Sequence, residues 1–352
     1  MMLAMEQYKT CKITPGKVSL QELAEHFGLL PEELRWFHNR FCPLQDLIDP
    51  EIQSHVEVIY VPVPGTETGY YATTKKNKPF YEKANTLNVP RSFEKRYGIV
   101  QKGYENETEK LKLHYETELK KTSKEQLIIN RKPLYINDKR PDMVMEQIAD
   151  EVGGVFYPLQ LELYENAKLK HVANFPEIQK RWKTKKQQLA SYYKGEAERF
   201  LKTINEQFEY RGKTQRGILD SWFFVLYFFP LYETFTDEKM YTFQVALPIF
   251  SKQPKVLFEI TLSIDEEVLD SQKFIITAKG NCIDPRTAPE IENAKAMHNP
   301  ETKGEQAEGS FDFTYKLNAK DNSIFAIWGE TNLQINKIHH KISFECYEQG
   351  IE

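Results

Sequence analysis

Apolar residues recur along this chain at two spacings. In the stretch 155–164 they alternate, with Leu159, Leu161 and Leu163 separated by Gln160 and Glu162, which is the period of a half-buried strand. Residues 168–173 follow after Glu165 and Asn166, so the two arms predict a hairpin. Short apolar runs predict further strands at 98–101, 111–115 and 127–135, then at 242–250, 256–263 and 273–278. A closing meander is predicted at 311–317, 324–328 and 338–347, with polar turns between its arms. Helical spacing appears at 143–152, ended by Gly153 and Gly154, where glycine suits a left-handed cap. Asn174 as N-cap and Pro176 in the first turn open one long helix. Its apolar face, from Ile178 and Trp182 through Leu189 to Ile204, carries it to about Phe208. Arg181, Lys183, Lys185 and Lys186 form a basic turn on it, read as a solvated face. Residues 222–232, WFFVLYFFPLY, are apolar and aromatic throughout. A membrane span needs about 20 such residues, so this run predicts a buried segment and no span.

The fold class expected is α+β: a small N-terminal βααβ module, then an antiparallel-sheet body at 97–352 with one long helix. The body divides into 97–235 and 236–352. Residues 281–310 hold no aromatic residue and three prolines, which predicts a mobile loop.

Charge marks the first boundary. Residues 1–62 carry five basic and nine acidic groups, whereas 63–96 carry seven basic and three acidic ones. Val61, Pro62, Val63, Pro64 and Gly65 punctuate the change, because proline holds the preceding residue extended. The basic segment reads as a linker, and its aromatic pair Tyr70 and Tyr71 is a candidate contact surface.

Within 1–62 the order of residues is specific. Ile13 and Gly16 end a strand at a turn, Leu20, Leu23 and Ala24 lead to Phe27 and the capping Gly28, and Leu34 and Asn39 follow in a second helix. Tyr60, Val61 and Pro62 close a second strand. This arrangement resembles the LysM domain, over about one sixth of the chain. It departs at Gly16-Lys17, where the family has Gly-Asp, and in a longer loop at 40–55. The resemblance implies a shallow groove for N-acetylglucosamine-containing glycans, or a connector to a protein partner of the kind used in bacterial secretion and contractile-injection machinery. The departures fall on the groove walls, which favours the protein partner. The candidate binding residues are Gly16, Lys17, Arg35, Trp36, His38 and Asn39, together with Tyr70 and Tyr71. Arg35, Trp36 and His38 lie beside the core pattern and are expected at the surface.

Composition narrows the function classes. The chain has 47 basic and 51 acidic residues, a net charge of −4, without the basic excess of a dedicated nucleic-acid binder. Its four cysteines, Cys11, Cys42, Cys282 and Cys346, are widely spaced, and no secretory leader precedes them, which together read as cytoplasmic. There is no HExxH, GxSxG, GxGxxG or Walker spacing, and His339-His340 on a strand point to opposite faces. No metal or cofactor is therefore expected. The reading is a non-enzymatic binding or adaptor protein. Its alternatives are a glycan binder, or an enzyme or small-ligand carrier with a pocket near residues 222–232.

Overall fold

A computed structural model describes residues 8–49, 51–63, 75–79, 85–193, 195–250, 254–265, 267–269 and 272–349. The alternating segments pair into one large antiparallel sheet. Its first half is built by β4 (Phe93–Glu105), β5 (Thr108–Ser123), β6 (Gln126–Arg131), β7 (Tyr135–Ile136), β8 (Leu159–Leu163) and β9 (Leu169–Val172). Its second half is built by β10 (Met240–Leu247), β11 (Val256–Ile264), β13 (Lys273–Cys282), β14 (Glu308–Asn318), β15 (Ile324–Ile335) and β16 (Ile338–Gln349). The strand order is β10-β11-β13-β14-β15-β16-β4-β5-β6-β8-β9, with β7 also on β5, making twelve strands. The halves meet along β16 and β4, from His340 opposite Glu105 to Gln349 opposite Arg96. Two short strands, β3 (Lys75–Pro79) and β12 (Glu267–Leu269), pair separately.

The inner face of the sheet carries the helices α3 (Val144–Gly154), α4 (Phe175–Tyr192), α5 (Glu196–Glu209), α6 (Arg211–Leu219) and α7 (Trp222–Tyr227). The aromatic run at 222–232 is the centre of that contact. Trp222 stacks over Phe313 at 6.5 Å, Phe229 stacks on Phe311 at 5.5 Å, and the Tyr315 hydroxyl donates to the Leu226 carbonyl at 3.0 Å.

This architecture corrects the expected fold class. The sheet dominates the chain, and the single long helix does not exist. The apolar face read from Ile178 to Phe208 is divided between α4 and α5. Tyr193 leaves helical geometry with φ −100° and ψ 137°, and Gly195 takes φ 71°, a turn of the backbone that glycine accepts at no steric cost. Periodicity scores each segment alone, so it found most strands without showing that they share one sheet.

Two further segments differ from expectation. Part of the linker is built into the fold, since Leu87 is buried in the main core and β4 already begins at Phe93. The stretch 281–310, expected as a mobile loop, holds α8 (Ala288–Glu292) and two internally satisfied acids. Asp284 pairs with Arg286 at 2.7 Å, both buried. Glu290 accepts from the Thr287 and Asn299 amides and from His298, which holds its carboxyl down at about 2.

At the N-terminus, β1 (Tyr8–Lys12), α1 (Leu20–Phe27), α2 (Pro31–Phe41) and β2 (Val58–Pro62) enclose a small core of Leu20, Leu23, Ala24, Leu34, Ile59 and Val61. β1 pairs antiparallel with β2. Ser19 and Glu22 form a capping box that starts α1, and Gly28 in left-handed geometry ends it. The module lies on the outer face of the sheet, where Trp36, Phe37, Cys42 and Leu47 pack against Phe325, Ala326 and Tyr347 of β15 and β16.

Candidate functional site

The residues expected to meet a partner from α2 are consumed inside the molecule. Arg35 is 5% exposed and its guanidinium donates to Glu345 of β16 at 2.7 Å. Trp36 is 4% exposed and meets Trp328 of β15 edge-to-face at 4.8 Å. His38 is fully buried, with Nε2 at 2.8 Å from the Asp46 carbonyl and Nδ1 accepting from the Tyr60 amide at 3.1 Å. Asn39 brackets Ile48, donating to its carbonyl at 2.9 Å and accepting from its amide at 2.8 Å. Their expected surface role is thus corrected. α2 faces strands some 300 positions later in the chain; Arg35 and Trp36 serve that contact, while His38 and Asn39 tie α2 to the rest of the module. Gly16 and Lys17 sit together on an exposed turn in which the Lys17 amide donates to Thr14, away from these four. Tyr70 and Tyr71 fall outside the described residues.

The contact between module and sheet is unusually polar. Asp49 of the module is within 2.9 Å of Lys102 and 2.8 Å of Lys112, and these cations hold its carboxyl down against its own burial. Lys316 and Lys273 lie buried beside the Phe325 ring, and burial lowers their ammonium groups to about 8 and about 7. Under this cover His114 is 1% exposed, and burial with the Lys112 charge lowers it to about 4. Asp49, Lys102 and Lys112 brace the interface by charge, and Lys316 does so over the Trp36 ring at 5.6 Å.

An opening does exist on the opposite, inner face. Beyond the reach of α7 the sheet is left uncovered, and a bay of about 610 Å³ forms there. Its floor is Gln101 and Gly103 of β4, Leu111 and Leu113 of β5, and His340 and Ile342 of β16. One wall is the junction of α6 and α7, with Gly217, Asp220, Ser221 and Trp222. The other is the segment after β10, with Pro248, Ile249 and Phe250. The strand register shifts between Gly103 and Tyr104, and a side chain at Gly103 would meet open space. Leu111 remains 38% exposed.

Gln101 and His340 share the floor with Leu111, Leu113 and Ile342, and charged groups join them in the lining. Lys255 and Asp220 form an ion pair at 2.5 Å. His340 meets the Phe250 ring edge-to-face at 4.8 Å, and burial lowers its imidazole from the usual value. His339, its neighbour, turns instead to Glu107 at 3.5 Å. Among the described residues no cluster of three metal-ligating side chains occurs, and no helix is long and apolar enough to cross a membrane. The sequence reading offered a pocket near residues 222–232, of which Trp222 stands in one wall of this bay, but it missed the floor, where the β4 and β5 hairpin meets β16 from a distant part of the chain. The one local signal was Gly103, a glycine inside a strand pattern.

Comparison with known proteins is sparse. No family model matches the chain, and no curated protein matches it. A solved structure titled "Lipid-protein interactions in lipovitellin" is similar at 8% identity and a TM-score of 0.43, over 76% of this chain. The chain spans about a quarter, 26%, of that protein's length.

Proposed function

We propose that the protein is a non-catalytic binding protein whose ligand is a small amphiphile held in the bay. The observation that carries this reading is an apolar patch of sheet floor, Leu111, Leu113 and Ile342, left open beside Trp222. Pockets that bind small molecules combine such apolar walls with a few polar groups that set orientation. Here Lys255, Asp220 and His340 supply that polar end. The binding character read from the sequence is kept, while its place moves from the N-terminal module to the body. The four free cysteines agree with a reducing compartment such as the cytoplasm.

The test uses anilinonaphthalene sulfonate, an anionic amphiphile that becomes fluorescent in apolar sites. Wild-type protein is expected to enhance its emission and to shift its own tryptophan fluorescence on titration. Gly103→Leu fills the bay from a position where nothing obstructs the new side chain, so it should abolish both signals without lowering the melting temperature. No enhancement by the wild type, or enhancement that Gly103→Leu leaves intact, overturns the reading.

A further inference from the structure

The two edges of the large sheet are treated very differently. β9 is four residues long, carries Lys170 and His171 bound to Glu162 of the neighbouring strand, and offers its Val172 amide to Gln215 of α6. It is short, charged and covered, as natural sheets arrange edges that must not pair. β10, at the far edge, is eight residues long and reads Met-Tyr-Thr-Phe-Gln-Val-Ala-Leu. It contains no charge, no proline and no glycine. It pairs with β11 in unbroken register, from Met240 opposite Ser263 to Leu247 opposite Val256, with no bulge to turn it away. Among the described residues nothing hydrogen-bonds to the outward backbone of 241–246. Its core-side residues are anchored, with Phe243 edge-to-face against Phe229 at 5.3 Å and stacked on Tyr241 at 5.8 Å.

We propose that β10 is a docking edge, and that its occupant is β10 of a second copy of this chain. Strand addition satisfies the outward amides and carbonyls, and the side chains on each face set the register. The sequence of β10 is self-complementary about Phe243. In an antiparallel pair centred there, the two Phe243 residues face one another and Tyr241 faces Val245 of the second copy. On the other face Thr242 meets Gln244. No like charges oppose each other, and aromatic and β-branched cross-strand pairs are favourable. A two-fold contact of this kind closes on itself and stops at the dimer.

Light scattering on the full chain tests it. Wild-type protein is expected at dimer mass at high micromolar concentration. Thr242→Lys with Gln244→Lys places lysines opposite lysines at exposed positions and should give a folded monomer, checked by circular dichroism. Thr242→Glu with Gln244→Glu should do the same, and mixing the two variants should restore dimer mass. A wild type that stays monomeric, including one that instead captures an uncharged strand peptide, overturns the proposal. So does a dimer indifferent to both variants. A mixture that fails to re-form the dimer overturns the register centred on Phe243.

Discussion

His38 shows how a residue chosen for surface chemistry acts from inside. Its Nδ1 accepts the Tyr60 amide, so the ring is neutral with its proton on Nε2, facing the Asp46 carbonyl. Protonating Nδ1 would set a donor against the donor of β2. Burial accordingly lowers the imidazole from 6.5 to about 4. A group whose folded value is depressed binds its proton more readily when unfolded. Stability is therefore complete above about pH 6.5 and falls as pH drops towards 4. His114 titrates in the same window, lowered by burial and by the Lys112 charge. Urea unfolding at pH 7 and pH 5 should show a loss on the order of 2 kcal/mol for each of the two histidines, and His38→Asn should remove its share while lowering stability at both pH values. The sequence reading set His38 and Trp36 beside a helix core pattern and expected them at the surface, and both are buried. That the same helix face meets β15 and β16 follows only from tertiary structure, because no local spacing records contacts across some 300 residues.

At the scale of elements, the strands were the most legible features, whereas the cap expected at Gly153-Gly154 was not, because α3 runs through both glycines and ends at Val155 in right-handed geometry. The alternation of Leu159, Leu161 and Leu163 became β8, and Gly28 became the cap of α1. The aromatic run was legible as buried, and its rings do fill the contact between α7 and β14. The break between α4 and α5 was not legible, because an apolar face continues across it and glycine is tolerated in a helical pattern. Gly195 holds φ 71° and ψ −121°, a backbone conformation that other residues adopt only under strain. Gly195→Ala should thus cost about 1–3 kcal/mol in thermal or urea unfolding, although its added methyl group meets no atom. A merely flexible linker at that position would tolerate the change, so an unaltered midpoint would show that the turn is not required.

Across the whole molecule, the module behaves as a lid on the outer face of the sheet. The acidic head read from the first 62 residues finds part of its counter-charge here, in Lys102, Lys112 and Lys316. Trp328, Phe325 and Tyr347 depend on the same cover for their burial. Removing residues 1–63 should expose this aromatic and cationic surface together. Light scattering and dye binding should then report aggregation and a lowered melting temperature. A well-behaved fragment with the melting temperature of the full chain would show that the module contributes no cover. The pairing of β16 with β4 has a consequence in time as well as in space. Each half of the sheet is assembled from strands that follow one another closely, so each can form as it leaves the ribosome. The seam between them waits for the final described strand. Until β16 emerges, β4 and β15 both present bare edges, and the platform for the module lacks Glu345 and Tyr347. Synthesis order thus makes β16 the closing step, and the nascent chain is most exposed to wrong pairing just before it arrives.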